Sequence, residues 1–178
     1  MIVRLMLVAG CLLTFASAHA QDSPLISTGQ LELNQGGAEL ILKHSQAQAR
    51  QMELKVNIAV VDRGGHLMAF IRMDGARAGS GITAQTKATA AATFRTATGP
   101  IVRGDDPNLL LNLSLQSAAA AGGAKYTSLF GGVPIEVDGQ IIGAVGVGGA
   151  TGEQDAEIAR AGIAALVEAF KGKTQSDN

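Results

Sequence analysis

Apolar residues recur at helical or alternating spacing along most of the chain, and this pattern divides it into helices and strands. Four segments predict α-helices from apolar spacing, alanine content or capping residues: residues 33–52, 81–98, 105–121 and 153–170. Five shorter segments predict β-strands: residues 56–62, 66–73, 126–130, 133–137 and 140–147. The predicted order is therefore one helix, two strands, two helices, three strands and one helix.

Tight turns join the strands in pairs. Asp62-Arg63-Gly64-Gly65 separates the first two strands, and Asp138-Gly139 between the last two is the strongest hairpin signal in the chain. Because hairpin partners run antiparallel, these turns predict an α/β (α+β) fold, with helices packed on a mainly antiparallel five-stranded sheet. Residues 56–62 are almost continuously apolar, so we expect this strand near the centre of the sheet.

Capping residues and glycine pairs indicate where the helices begin and end. Ser80 is the expected N-cap of the second helix, and Gly99-Pro100 is expected to end it. Asp105 is the expected N-cap of the third helix, and Gly122-Gly123 is expected to end that one. These signals place two separate helices between the second and third strands.

Residues 1–20 have the pattern of a cleaved signal peptide. Arg4 precedes an apolar run, and Ala18-His19-Ala20 forms a small-x-small cleavage site before Gln21. The apolar run is too short to span a bilayer. An alternative is a lipoprotein signal, because Val8-Ala9-Gly10-Cys11 resembles a lipobox. Either pattern predicts export, so we expect a periplasmic or secreted protein.

The rest of the chain is long enough for one domain. Behind the leader we expect an exposed lead-in, a single domain and a disordered tail, at residues 21–30, 31–171 and 172–178. The only cysteine, Cys11, would leave with the leader, so the mature domain would have no disulfide and no thiolate. A formal net charge of −1 excludes the strongly basic surface of a nucleic-acid-binding protein.

Three groups of residues resemble motifs of a known family. They are IAVVDRGG leading to RMDGA (residues 58–76), KATA (residues 87–90), and GGVPI, DG and IGAVGV leading to EQD (residues 131–155). In order and spacing they resemble the GlcG/HbpS family of haem-binding proteins, which is related to the C-terminal domain of PduO-type corrinoid adenosyltransferases. The sequence departs from the family pattern at Gly148, where the family usually has serine.

The resemblance implies a profilin-like domain that assembles into symmetric homo-oligomers and binds haem. In some members of the family it also implies haem degradation or redox sensing. Haem iron needs an axial ligand, usually His, Met, Cys or Tyr. In the mature chain these types are represented by His44, His66, Met52, Met68, Met73 and Tyr126.

His44 is the favoured iron ligand, because a helix face can pack flat against a porphyrin. His66 follows the first hairpin turn and is the second candidate. The alternative for both is structural: His44 would be a solvated helix residue, and His66 a residue that flanks a turn. A weak oxygen ligand from Thr127 or Ser128, or an interface site without a strong axial ligand, is a further alternative.

Arg72 and Lys87 are the candidate partners of the haem propionates, because cationic side chains form charge-assisted hydrogen bonds with carboxylates. Arg72 and Asp74 are expected to share one face at the end of a strand. Alternatively, Arg72 pairs with Asp74 or Asp62 and only stabilises that strand end. Asp62 and Asp74 could form a catalytic carboxylate pair, but an aspartate at a strand end more often caps a turn.

The glycine-rich segment at residues 143–149 does not match a dinucleotide-binding loop, because its third glycine position falls on Thr151 and no Rossmann crossover precedes it. The leading hypothesis is a periplasmic, oligomeric haem-binding protein with a storage, scavenging or redox-sensing role. The alternative is an enzyme or accessory protein that acts on a small carbonyl or hydroxy compound through Arg72, Asp74 and Lys87. A third possibility is a structural assembly without a ligand.

Overall fold

The structure is a computed structural model that describes the backbone of residues 29–176 and the side chains of residues 29–172. The predicted signal peptide, the lipobox alternative with Cys11 and most of the lead-in lie outside the described residues. The helices are α1 (Gln35–Gln51), α2 (Ser80–Phe94), α3 (Leu109–Ala121) and α4 (Gly152–Ser176). The strands are β1 (Asn57–Asp62), β2 (Leu67–Arg72), β3 (Val102–Arg103), β4 (Asp106–Pro107), β5 (Gly132–Val137) and β6 (Gln140–Gly148).

The main sheet is antiparallel throughout and has the strand order β2-β1-β6-β5. Its two hairpins, β1–β2 and β5–β6, are the ones that the Gly-containing turns predict. β1 lies between β2 and β6, in agreement with its continuous apolar sequence. The α+β class predicted from the sequence is therefore confirmed.

Helices cover both faces of this sheet, because successive side chains of β1 point to opposite sides. Ile58 and Val60 pack in the larger core together with apolar residues of α1 and α4. Ala59 and Val61 pack against a row of alanines on α2. The α2 side of the core is thus built of small residues, and it brings the backbone of α2 close to the sheet.

The main sheet has four strands in the described part of the chain, not the predicted five. Residues 126–130 do not form a strand. Tyr126 packs edge-to-face on Phe94 instead, with 4.9 Å between the ring centroids. The backbone N–H of Leu129 donates to the Thr127 hydroxyl within the same segment, and not to a neighbouring strand.

Predicted ends of three helices, α2, α3 and α4, are also wrong. α2 ends four residues early because Arg95 adopts a left-handed conformation (φ 56°) and the chain then turns so that the N–H of Thr98 donates to Gly132. α3 starts at Leu109 with Asn108 as its N-cap, because residues 102–107 form the small β3–β4 ribbon rather than a first helical turn. α4 continues to Ser176, into the segment predicted as a disordered tail, because no proline interrupts it.

The α3 helix projects from the rest of the domain. Its one buried residue is Asn112, whose side chain forms hydrogen bonds with the backbone of Ile101. Three of its leucines are largely exposed: Leu109 (71%), Leu110 (79%) and Leu113 (63%). None of the helices in the described part of the chain is long and apolar enough to cross a membrane.

Candidate functional site

A buried ion pair joins α2 to the first turn of α4. The Lys87 Nζ donates to Asp155 Oδ2 at 2.7 Å and to the carbonyl oxygen of Val147 at 2.8 Å. Asp155 Oδ1 also accepts the backbone N–H of Ala150 at 3.1 Å. Lys87 is 5% exposed and Asp155 is 1% exposed, so each charge depends on the other for compensation.

This ion pair lies at the base of a cavity of about 740 Å³, which we call the lysine pocket. The pocket opens between the N-terminal ends of α2 and α4 and the segment before β5. Arg77 lines it and is exposed at its mouth. Its other lining residues include Ser80, Thr83, Pro100, Ser128, Leu129 and Phe130. The pocket therefore combines the buried Lys87–Asp155 ion pair, the exposed Arg77 guanidinium, several hydroxyl groups and an apolar wall.

A second cavity, of about 510 Å³, adjoins the lysine pocket, and we call it the aromatic pocket. The two cavities share Pro100 and Phe130. The walls of the aromatic pocket are largely apolar, and Tyr126 and Arg160 add a phenol and a guanidinium. Its main side-chain contributors are Phe94, Ile101, Val102, Tyr126, Phe130 and Arg160.

Phe130 forms the wall between the two pockets, and two glycines allow the backbone to approach it closely. A Cβ atom on Gly152 would lie 2.5 Å from the Cβ of Phe130, and one on Gly99 would lie 2.6 Å from its ring. Such approaches are possible only where a side chain is absent. The Phe130 side chain thus packs directly against the backbone at Gly99 and Gly152, although half of it is exposed.

The four predicted site residues do not form one site. Lys87 lines the lysine pocket, as described above. Arg72 lies with Asp74 in a separate cavity of about 580 Å³, and among the described residues it forms no ion pair with Asp74 or Asp62. The set of Arg72, Asp74 and Lys87, which the sequence suggested for a small-molecule enzyme, is therefore divided between two cavities.

The two histidines also lie apart. His44 is exposed on α1 and lines neither the lysine pocket nor the aromatic pocket. His66 lies at the β1–β2 turn, in a cavity of about 540 Å³ that also contains Met68 and Arg95. Across the described residues, no group of three or more His, Cys, Asp or Glu side chains is arranged to hold a metal ion.

Asp62 caps the β1–β2 turn. Its Oδ1 accepts the backbone N–H of His66 at 2.9 Å, and its Oδ2 lies 3.2 Å from His66 Nδ1. Partial burial alone would raise the pKa of Asp62, but the hydrogen bonds and the charge interaction with His66 outweigh it and lower the pKa below its usual value. The turn-capping role expected for this aspartate is thus confirmed.

The lowered pKa gives Asp62 a small pH-dependent effect on stability. Its carboxylate stabilises the fold above the unfolded-state pKa of about 3.9, and this contribution is lost as the pH falls through the lower folded-state value. We expect Asp62→Asn to destabilise the protein by up to about 1 kcal/mol at pH 6, because the pair is exposed, and by less at pH 3. Urea unfolding at both pH values measures the difference.

Asp74→Asn is the matched control for this experiment, because the Asp74 side chain has no hydrogen-bond partner among the described residues. If both variants showed the same change in stability between pH 6 and pH 3, the capping role of Asp62 in acid stability would be wrong.

A family model and a known bacterial protein both match this chain. Residues 33–164 match the family model described as "Haem degrading protein HbpS-like". The chain is 42% identical over 115 residues to protein GlcG of Escherichia coli K12, an alignment that covers 65% of this chain and 80% of that protein.

Two solved structures have a similar fold. The Klebsiella pneumoniae protein ORFY superposes with a TM-score of 0.67 at 28% identity, covering 81% of this chain and 97% of that one. A structure described as a PduOC:haem complex superposes with a TM-score of 0.64 at 27% identity, covering 76% and 95% of the two chains.

Proposed function

Because this chain belongs to the HbpS-like family of haem-degrading proteins, we propose that it binds haem, and that the aromatic pocket is the binding site. The observation that carries this proposal is the combination, in one cavity, of aromatic walls, a phenol and a guanidinium. The cavity volume of about 510 Å³ lies within the range of small-molecule sites. The PduOC structure, which is described as a haem complex, supports the choice of ligand.

The aromatic pocket matches the chemistry of a porphyrin. The flat, apolar macrocycle needs apolar and aromatic surface, which Phe94, Ile101 and Phe130 provide. Arg160 is exposed at the same cavity and is a suitable partner for a propionate carboxylate. Lys87, the propionate partner predicted from the sequence, already donates to Asp155 and lies in the adjoining pocket.

Tyr126 is the iron ligand that this site favours, because a tyrosinate oxygen can occupy the axial position of haem iron. Its hydroxyl has no hydrogen-bond partner among the described residues, so no protein group competes for it. His66 is the alternative: Asp62 lies beside its Nδ1, which leaves Nε2 free as a ligand atom. His44 stays a prediction from the sequence.

A haemin titration followed in the Soret band tests these assignments. We expect the unmodified protein to shift the Soret maximum, and Tyr126→Phe to weaken binding about tenfold or more, because it removes one strong contact and little volume. His44→Ala and His66→Ala are the comparison variants and are expected to bind as the unmodified protein does.

Loss of the Soret shift in His44→Ala or His66→Ala, with Tyr126→Phe unaffected, would move the iron to that histidine and contradict the aromatic pocket as the site. Absence of any Soret change with the unmodified protein would contradict haem binding altogether.

We further propose that the protein works after export, in the periplasm, where a haem-binding domain would store, scavenge or sense haem. This part of the proposal rests on the leader pattern of residues 1–20. N-terminal sequencing of the protein from a periplasmic fraction tests it: a chain that starts at Gln21 supports export with cleavage, and a chain that retains Arg4 contradicts it.

Self-association through α3 is the remaining part of the proposal. α3 has thirteen residues, no charged side chain, and several exposed leucines, and a helix of this length is not stable in water without packing. An exposed apolar patch of this kind marks an interaction surface. A second copy is the favoured occupant because the same helix in every copy offers a self-complementary apolar face for a two-fold contact.

Leu110→Lys combined with Leu113→Lys is therefore expected to convert the assembly into a smaller species, because two charges would be buried in the contact. Sedimentation velocity measures the change. Leu67→Lys on the edge strand β2 is the matched control, because Leu67 is 51% exposed and lies outside α3. An unchanged sedimentation coefficient in the α3 variant would contradict this interface.

A further inference from the structure

The lysine pocket has polar groups that the proposed haem site does not use. Lys87 carries three N–H donors, and two of them are occupied by Asp155 and Val147. Within the described part of the chain the third N–H has no acceptor, although the side chain is buried and lines a cavity of about 740 Å³. A buried ammonium N–H that has no acceptor and faces a cavity is a suitable contact for a ligand oxygen.

Among the described side chains, Arg77 is an unpaired cation, and it lies at the mouth of the same pocket. The Arg77 guanidinium is exposed and forms no ion pair among the described residues. Its backbone is held in place, because the Asn57 side chain donates to the Arg77 carbonyl oxygen at 3.0 Å. Guanidinium groups bind carboxylates through two parallel hydrogen bonds, which fixes the orientation of the ligand.

The charge of the pocket sets the number of anionic groups it can accept. Lys87 and Asp155 compensate each other, so Arg77 is left with one positive charge to be balanced. The opposite wall is apolar and consists mainly of Pro100, Leu129 and Phe130. The pocket therefore offers one carboxylate position, one hydrogen-bond donor for a neighbouring oxygen, and a surface for an apolar group.

We propose that the lysine pocket is a second binding site, and that it takes monocarboxylic acids with a 2-hydroxy or 2-oxo group and an apolar tail. In this arrangement Arg77 binds the carboxylate and the third N–H of Lys87 donates to the oxygen on C2. The tail lies against Leu129 and Phe130. The polar groups of the two sites are separate, because Arg77 and Lys87 do not line the aromatic pocket and Tyr126 and Arg160 do not line the lysine pocket; the two pockets share Pro100 and Phe130.

Calorimetric titration with 3-phenyllactate and 3-phenylpropionate tests the proposal, because the two acids differ only in the hydroxyl on C2. We expect 3-phenyllactate to bind about tenfold more tightly, since only its hydroxyl can accept from Lys87. Arg77→Gln is expected to weaken the binding of both acids about tenfold or more while preserving their ratio. Equal affinities of the two acids, or an unchanged affinity in Arg77→Gln, would overturn the proposal.

Two further variants separate this site from its neighbours. Arg160→Gln and Tyr126→Phe alter the aromatic pocket and are expected to leave 3-phenyllactate binding unchanged. Loss of binding in either would place the acid in the aromatic pocket and overturn the proposal.

The double variant Lys87→Met/Asp155→Leu is expected to bind both acids equally, with folding checked by circular dichroism. A retained preference for 3-phenyllactate in the folded double variant would exclude the role of Lys87.

Discussion

Lys87→Met is expected to lower the free energy of unfolding by about 3–5 kcal/mol, because it leaves the Asp155 carboxylate buried without a compensating charge. Asp155 is 1% exposed, and the remaining hydrogen bond from the Ala150 N–H cannot replace an ammonium at 2.7 Å. The pair also links α2 to the start of α4, so its loss affects both sides of the sheet. Urea unfolding followed by circular dichroism measures the change.

Lys171→Met is the matched control, because it is the same substitution at an exposed position. The Lys171 Nζ lies 3.9 Å from Glu168, with the two side chains 65% and 78% exposed, so we expect a change within about 0.5 kcal/mol. Lys87→Met/Asp155→Leu is expected to recover much of the lost stability, since replacing both members of a buried pair with apolar residues is often neutral. A loss below about 1 kcal/mol in Lys87→Met would show that water or another group compensates Asp155.

The parts of the fold that depend on local sequence were predictable. Both hairpins follow from their turns, and the central place of β1 follows from its apolar run. Predictions failed where tertiary contacts decide the conformation. α2 ends at Phe94 because residue Thr98 has to reach β5, and residues 126–130 pack through Tyr126 instead of joining the sheet.

The candidate site was only partly predictable, for a related reason. Lys87 was identified from the sequence, but its partner Asp155 is 68 positions away and only the fold brings them together. One signal was present: Asp155 lies on the same helix face as Ile158 and Ala159, which are buried, so its carboxylate had to face the interior. A carboxylate on an apolar helix face predicts a buried cationic partner.

The aromatic pocket was harder to predict from the sequence than the ion pair. The chain has five phenylalanines and one tyrosine. Three of these aromatic residues, Phe94, Tyr126 and Phe130, meet around one cavity. Neither periodicity nor spacing relates the end of a helix to a loop more than thirty positions later, so sequence reasoning favoured the histidines instead.

Two glycines of β6 determine how closely α2 lies against the sheet. Gly146 and Gly148 lie under α2 and allow the helix to approach the strand. A Cβ atom on Gly148 would lie 2.6 Å from the carbonyl oxygen of Ser80, and one on Gly146 would overlap the backbone of Ala84 and Ala88. The position of Lys87 at the pocket therefore depends on the absence of a side chain at Gly146 and Gly148.

Gly146→Ala is accordingly expected to destabilise the protein by about 3 kcal/mol or more, because the new methyl group would meet helix backbone, which cannot move aside as a flexible side chain can. The methyl group would also lie 2.9 Å from the Ala88 Cβ, so α2 would have to shift as a unit. We expect this shift to separate Lys87 from Asp155 and to reduce binding in the lysine pocket as well. Urea unfolding measures the stability, and titration with 3-phenyllactate measures the pocket.

Gly36→Ala is the matched control, because Gly36 lies in the first turn of α1, where the nearest atom to a Cβ would be Asn34 Oδ1 at 3.6 Å. The same added methyl group is expected to stabilise the protein there by up to about 1 kcal/mol, since alanine favours a helix over glycine. If Gly146→Ala were as stable as Gly36→Ala, α2 could not lie as close to β6 as the structure places it. The pocket built between α2 and α4 would then have a different shape.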